Sequence, residues 1–238
     1  MTTLGTIIGV WAHPDDDIYL SSGLMAQAAR EGGRVLDVTA TRGEGGSMDH
    51  DRWPPETMGE VRAAELAKSL EILGVAEHRF LDGHRDVDMD TPLSDEGLEQ
   101  VVSIVKELRP DTILTFGPDG MTGHAAHKSV SRWATEAFHA AAPAGARLLY
   151  ATNTPEWVAE WAPKLAPFEI FRPGTPPVTP LEELEVNFVL DDELRELKFR
   201  AISAHESQVE GLIHVFGREG IMSALGQESY RLAAVKEA

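Results

Sequence analysis

The chain has no cysteine among its 238 residues. Disulfide bonds, thiolate metal sites and thiol nucleophiles are therefore excluded, and any bound metal must be held by His, Asp or Glu side chains. Basic residues are also scarce: 21 Lys and Arg stand against 39 Asp and Glu, which gives a net charge of −18 at pH 7. Because this charge repels polyanions, we expect neither nucleic acid nor an anionic membrane surface as a partner.

Long apolar runs are missing as well. No apolar stretch reaches membrane-spanning length, and no basic region followed by a secretory apolar core occurs near the N-terminus. We therefore expect a cytoplasmic protein. The length suits one domain, 1–238, with a motif-bearing core at about 1–150 and a more variable part at 151–238. The sequence leaves the oligomeric state open, a homo-oligomer included.

Short apolar runs alternate with segments of helical periodicity over the first 150 residues. The predicted strands are residues 6–10, 34–41, 78–81, 111–117 and 148–151. The predicted helices are about 16–29, 57–73 and 94–108, with a fourth that has His124 and His127 at its head. This alternation predicts an α/β fold with a mostly parallel sheet flanked by helices.

Beyond residue 150 the pattern is weaker. We predict a surface segment at 167–180, a short edge strand at 185–190 and a helix at about 191–208. The last thirty residues are predicted to form a loop and an Ala/Leu-rich helix.

A polar corner, Trp11 to Asp17, joins the first predicted strand to the first helix. In open α/β sheets, ligands bind at such carboxyl ends of strands. His13 and Asp16 are three residues apart and can converge on one point, which is half of a zinc or iron site. Pro14 is expected at the first helical position, and proline followed by acids is also how an ordinary helix begins.

A second polar cluster follows the fourth predicted strand. His124 and His127 lie three residues apart at the head of a helix, which by itself is weak support for a metal site. His127, with His124 beside it, joins His13 and Asp16 in the two-imidazole, one-carboxylate set of a catalytic zinc site, and ferrous iron accepts the same ligands. Asp15 or Asp17 could then take a proton from the activated water as a general base.

Several motifs together resemble the PIG-L/LmbE family of zinc-dependent N-deacetylases, in the order found in that family. They are Ala12-His13-Pro14-Asp15-Asp16, Thr41-Arg42-Gly43-Glu44, Arg62-Ala63-Ala64-Glu65 with Leu73-Gly74, and Gly123-His124-Ala125-Ala126-His127. Lys198 and the stretch His205-Glu206-Ser207-Gln208 are similar to the C-terminal helix of the family.

The resemblance implies a Rossmann-like fold and removal of an acetyl group from N-acetylglucosamine-containing molecules. It implies Asp15 as the general base, and His124, as an imidazolium, as the group that stabilises the oxyanion. Arg62 and Asp86 match positions of sugar-binding side chains. The implied metal ligands, for Zn²⁺ or Fe²⁺, are His13, Asp16 and His127.

Three other functions are compatible with parts of this sequence. A thiol-conjugate amidase of the same family and a metal-binding member without catalysis both remain open. A Rossmann-type nucleotide-binding protein is disfavoured, because the first strand leads into His-Pro-Asp-Asp-Asp instead of a G-x-G-x-x-G turn. The resemblance implies a small N-acyl amino sugar or glycoconjugate as the substrate. Substrate specificity is expected to depend on residues 48–55, 82–90, 157–180 and the tail after Gln208.

Overall fold

Seven strands form one sheet in the computed structural model of the chain, which describes residues 4–237. They are β1 (Ile7–Trp11), β2 (Val35–Thr39), β3 (Glu77–Phe80), β4 (Thr112–Phe116), β5 (Arg147–Thr152), β6 (Val186–Val189) and β7 (Gln227–Val235). The spatial order is β3-β2-β1-β4-β5-β7-β6. The first five strands are parallel and the pairs β5–β7 and β6–β7 are antiparallel. Residues 1–3 and 238 of the predicted 1–238 domain lie outside the described part.

Eight α-helices accompany the sheet within the described residues. They are α1 (Asp16–Leu20), α2 (Ser22–Arg30), α3 (Met58–Leu73), α4 (Glu96–Leu108), α5 (Ala125–Ala141), α6 (Pro155–Leu165), α7 (Asp192–Ile202) and α8 (Glu206–Leu225). Helix α4 packs on α5, while α2 and α3 pack on α7. Between residues 4 and 237, no helix combines the length and the apolar character that crossing a membrane requires. The predicted mostly parallel α/β fold is confirmed.

The strand order places a crevice beside β1 and β4. All five residues of each of these strands are buried, as expected for parallel strands covered on both faces. The chain adds β2 and β3 on one side of β1, then returns to add β4 and β5 on the other. Ligands bind in α/β sheets at such a switch point, outside the carboxyl ends of the strands. The polar segments after β1 and β4 therefore face each other there.

The first helix differs from its prediction. The expected single helix at 16–29 is two helices, because Ser21 breaks the backbone path with φ −141° and ψ 0°. The Ser22 hydroxyl donates to the Ile18 carbonyl at 2.9 Å, and such side-chain bonds compete with a regular helix. Pro14 also lies outside the helix, which begins only at Asp16. The predicted place of Pro14 was wrong.

The C-terminal segment differs more. The prediction of an Ala/Leu-rich helix in the last thirty residues was wrong for 227–235, which form β7 between β5 and β6. The predicted helix at 191–208 ends at Ile202, and α8 begins at Glu206. The predicted edge strand is confirmed as β6, the last strand of the sheet. Pairing with β5 outweighs the helical propensity of Leu232-Ala233-Ala234.

Candidate metal and active site

The ends of β1 and β4 bring His13, Asp16 and His127 together. The Nδ1 atom of His13 lies 3.0 Å from Nε2 of His127. The Asp16 carboxylate lies 3.7 Å from that His13 nitrogen and 3.4 Å from the His127 nitrogen. Ligand atoms bound at about 2.0–2.1 Å around a tetrahedral metal lie roughly 3.3 Å from one another. The two nitrogens and the Asp16 carboxylate, with Oδ2 toward His13 and Oδ1 toward His127, therefore have spacings close to those of one face of such a site, and all three residues are buried.

The outer nitrogens of both imidazoles face acceptors. Nδ1 of His127 lies 2.9 Å from the Gly120 carbonyl oxygen, and Nε2 of His13 lies 3.3 Å from an Asp86 carboxylate oxygen. These oxygens only accept, so they favour hydrogens on the outer nitrogens and leave lone pairs on the two inner ones. Two lone pairs 3.0 Å apart repel each other unless a positive charge lies between them. The donor set therefore fits a bound metal ion.

Carboxylates near His13 also favour positive charge at this point. Burial opposes protonation of its imidazole, but contact with Asp86 and the nearby charge of Asp16 together raise the pKa of His13. The Asp16 carboxylate is itself held by the backbone, since it accepts from the N–H groups of Ala12 at 3.1 Å and His13 at 2.7 Å. The local turn thus orients a carboxylate toward both imidazoles.

Asp15 has an unusual backbone and a firm partner. Its φ is +136°, a region that L-residues rarely adopt and that often marks functional sites. Its carboxylate lies 3.0 Å from Nη2 of Arg62, and its side chain is 15% exposed. Burial raises the pKa of Asp15 to about 6, although the Arg62 guanidinium opposes the shift. The group is partly shielded, oriented and able to exchange a proton near neutral pH.

Arg62 makes more contacts within the protein than the sequence indicates. Besides Asp15, it donates to the carbonyl oxygens of Pro14 at 3.0 Å and Gly43 at 3.2 Å. Gly43 has φ +66°, and a Cβ atom there would lie 2.3 Å from Nη1 of Arg62. The glycine-rich loop after β2 therefore lets its backbone approach this guanidinium. Sugar binding by Arg62 stays a prediction, while its contacts indicate that it positions Asp15.

His124 lies at the N-cap of α5, where its Nδ1 accepts a hydrogen bond from the Ala126 N–H at 3.2 Å. Burial, with the neighbouring His13 and His127 imidazoles, lowers the pKa of His124 to about 3. This environment contradicts the expected imidazolium. Because Nδ1 accepts, the hydrogen of the neutral ring is on Nε2, which makes His124 a neutral donor.

Asp86 contacts His13, so its geometry indicates an orienting role beside the predicted sugar-binding one. The Asp86 side chain is buried, and its backbone N–H donates to Glu44 at 3.0 Å. Carboxylates that hold the outer nitrogen of a metal-binding histidine fix its tautomer and ring orientation.

The variant Asp86→Asn is expected to bind Zn²⁺ about 10- to 100-fold more weakly than the unchanged protein, because the amide no longer stabilises the His13 ring as a ligand. Competition with a chromophoric chelator measures this affinity. Asp82→Asn, an exposed substitution in the same loop, is the matched control and should leave it unchanged. Equal affinities for both variants would contradict the orienting role.

A cavity of about 620 Å³ opens from these residues, a volume typical of small-molecule sites. All four segments expected to govern specificity contribute to its wall, through residues such as Met48, Val87, Trp157 and Phe216. Gln208 also lines it and donates to the Gly46 carbonyl at 3.0 Å.

The sequence predicts no role for Glu65 and Ser207, which bond to each other in the structure. The Glu65 carboxylate accepts from the N–H and the hydroxyl of Ser207, both at 2.7 Å, and so joins α3 to α8. The signal in the sequence is the similarity of the stretch containing Ser207 and Gln208 to the C-terminal helix of the family. Its partners lie more than a hundred residues away, so spacing did not reveal them.

The chain is similar to one protein family and to several curated proteins. The family described as PIG-L: GlcNAc-PI de-N-acetylase matches residues 8–138. A curated relative from Saccharomonospora viridis, a 1D-myo-inositol 2-acetamido-2-deoxy-alpha-D-glucopyranoside deacetylase, is 30% identical over 226 residues, which cover 84% of each chain.

Two solved structures share the fold. The antimicrobial reagent A40926 pseudoaglycone deacetylase Dbv21 has a TM-score of 0.68 at 20% identity and covers 99% of both chains. The zinc inhibited form of teicoplanin deacetylase Orf2 has a TM-score of 0.62 at 20% identity, over 95% of this chain and 97% of the other. With the family match over more than half of the sequence, the chain belongs to the PIG-L, GlcNAc-PI de-N-acetylase, family.

Proposed function

We propose that the protein is a metal-dependent hydrolase that removes an acetyl group from the amide nitrogen of an N-acetylglucosamine-type sugar or glycoconjugate. The observation that carries this proposal is that two histidine nitrogens and the Asp16 carboxylate lie 3.0–3.7 Å from one another and line the same cavity as Asp15. The names of the curated relatives, which are deacetylases of an acetamido sugar, support the same substrate class.

His13, Asp16 and His127 would hold the metal, with Zn²⁺ as the first candidate and Fe²⁺ as the second. When bound, such an ion polarises an acyl carbonyl and lowers the pKa of bound water to about 7. Both histidines are buried, Nδ1 of His127 lies 2.9 Å from the Gly120 carbonyl oxygen and Nε2 of His13 contacts Asp86, so the protein itself orients both rings.

Asp15 would act as the general base. Its pKa of about 6 suits a carboxylate that takes a proton from water and later returns one to the leaving amine. Water adds to the carbonyl carbon, the carbon–nitrogen bond breaks, and acetate and a protonated amine leave. Arg62 keeps the Asp15 carboxylate oriented through its 3.0 Å contact.

His124 would stabilise the negative charge that develops on the carbonyl oxygen. As a neutral ring with its hydrogen on Nε2, it supplies a fixed donor in a partly buried site, where such donors contribute most. Sugar recognition by Arg62 and Asp86 remains part of the proposal, as do the cytoplasmic location and a homo-oligomer.

The two alternatives use the same ligand set. A thiol-conjugate amidase would hydrolyse a different amide, and a metal-binding protein without catalysis would keep the ligands alone. The oriented Asp15 and His124 beside the ligands favour a catalyst over a binding protein, since binding requires neither.

Purified protein is expected to contain about one divalent metal per chain and to release amine from N-acetylglucosamine compounds. A chelator should abolish the release and added Zn²⁺ should restore it, because the proposed chemistry needs the ion. Elemental analysis and a fluorescent amine assay measure the two quantities. Metal without amine release from any N-acetyl sugar would overturn the deacetylase proposal, and absence of metal would overturn the site.

A further inference from the structure

The wall of the cavity is mostly apolar apart from the proposed ligands, Asp15 and a few other polar residues. Aromatic and aliphatic side chains from α6, α8 and the segment between them line it together with these polar residues. We define the apolar arm of the cavity by Trp157, Trp161, Leu165, Phe171, Leu212 and Phe216. This arm is part of the same cavity, so any inference about it rests on the proposed function.

Contacts among the rings hold the apolar arm in place. Trp157 donates from its indole nitrogen to the Ala224 carbonyl at 2.6 Å and packs edge-on against Phe171, with ring centroids 6.3 Å apart. Trp161 packs on Phe216 at 5.8 Å. Helix α8 is kinked at Gly217, where φ is +63°, directly after Phe216. The arm is therefore a formed surface that α6 and the first half of α8 build together with Phe171, while the second half of α8 holds Trp157 through the Ala224 carbonyl.

Polar side chains near the arm are engaged within the protein. The Thr152 hydroxyl bonds to that of Thr179 at 2.8 Å, and the Gln227 amide donates to Asn187. The Glu228 carboxylate accepts from Lys198 at 2.7 Å. A sugar hydroxyl placed against the six side chains of the apolar arm would lose hydrogen bonds to water, and four of the six offer no polar atom in exchange, which is unfavourable.

An apolar group in the arm gains binding affinity, whereas a sugar does not, since each buried methylene contributes roughly a fourfold increase in affinity. We propose that the substrate of this enzyme is an N-acyl amino sugar that carries an aliphatic or aromatic group, and that the apolar arm binds this group. The group is either an acyl chain longer than acetyl or an apolar aglycone. Both present the same chemistry to the arm.

Three probes separate these sources: methyl N-acetylglucosaminide, octyl N-acetylglucosaminide and methyl N-octanoylglucosaminide. With the metal-loaded protein, we expect at least one octyl-type probe to show a kcat/KM at least tenfold above that of the methyl N-acetyl probe. A gain for the octyl glycoside identifies an apolar aglycone. A gain for the octanoyl amide identifies a longer acyl chain.

Phe216→Ala should reduce the ratio of kcat/KM between the preferred octyl-type probe and the methyl N-acetyl probe at least fivefold. The adjacent Val215→Ala is the matched control, because Val215 is 58% exposed on the same helix and does not line the cavity. It should leave the ratio unchanged. Thermal unfolding of both variants identifies any loss of folded protein.

Failure of this inference is distinguishable from failure of the proposed function. If the kcat/KM for the methyl N-acetyl probe equals or exceeds the kcat/KM for both octyl-type probes, the proposed role of the apolar arm is overturned and the proposed function stands. If no probe is hydrolysed, the proposed function fails. Titration of the tryptophan fluorescence with the two N-acetyl glycosides then tests whether the arm binds the apolar group. Tenfold tighter binding of the octyl glycoside, lost in Phe216→Ala, supports it, and equal binding overturns it.

Discussion

Asp15→Asn is expected to lower kcat for amine release by about 10²- to 10⁴-fold while the metal content stays at the level of the unchanged protein. The amide cannot take a proton from water, yet its oxygen can still accept from Arg62, which lies 3.0 Å from the carboxylate. Asn is also, with Asp, one of the residues that best tolerate a positive φ, so the +136° backbone at this position is retained.

Asp192→Asn is the control for this prediction, because Asp192 is an exposed carboxylate in the first turn of α7 and does not line the cavity. Its kcat and metal content should equal those of the unchanged protein. Elemental analysis and the amine assay are run on the same preparations. Normal turnover by Asp15→Asn would show that another group is the base. Loss of metal in that variant would show that Asp15 belongs to the ligands.

Lys198→Met is expected to lower the free energy of unfolding by about 3–5 kcal/mol. The ammonium of Lys198 lies 2.7 Å from Glu228, and both side chains are completely buried. The Glu228 carboxylate also accepts from the N–H groups of Gly23 at 2.7 Å and Leu24 at 2.9 Å, so it caps α2. Without Lys198, a buried carboxylate loses its only cation among the described ion pairs, which is the cause of the large effect.

Urea denaturation measures this loss, and the midpoint temperature should fall by on the order of 10 °C. The double variant Lys198→Met, Glu228→Gln should be more stable than Lys198→Met alone, because it removes the uncompensated charge. Lys164→Met is the control, since its pair with Glu160 is exposed and contributes under about 1 kcal/mol. A similarly small effect at Lys198 would refute the role of the buried pair.

The prediction of the fold succeeded where burial gives a simple pattern. Continuous apolar runs identified β1, β2 and β4, which are wholly buried, and the predicted parallel sheet is confirmed. The prediction failed where distant residues decide the structure. Ser21 and Ser22 break the first helix, and Glu228, some two hundred residues away, caps the second half. Helical propensity in 232–234 was outweighed by pairing with β5 on one side.

The candidate site shows the same division. From the residue spacing we predicted that His13 lies close to Asp16 and His124 close to His127. From the parallel arrangement of the strands we predicted that the two pairs meet at one edge of the sheet. The structure places the atoms 3.0–3.7 Å apart, while the roles of these residues remain predictions. The sequence could not predict the protonation state of His124, because its pKa is lowered by burial and by two neighbouring imidazoles that only the folded structure brings close.

The sequence by itself determined the α/β class, the family and the residue types available to hold a metal, because these depend on burial pattern and local spacing. Tertiary structure alone decided that Arg62 holds Asp15, that Asp86 contacts His13, and that α6 and α8 form an apolar arm. These contacts join segments far apart in the chain. Their distances depend on how helices and loops pack against one sheet edge, and no local pattern encodes that packing.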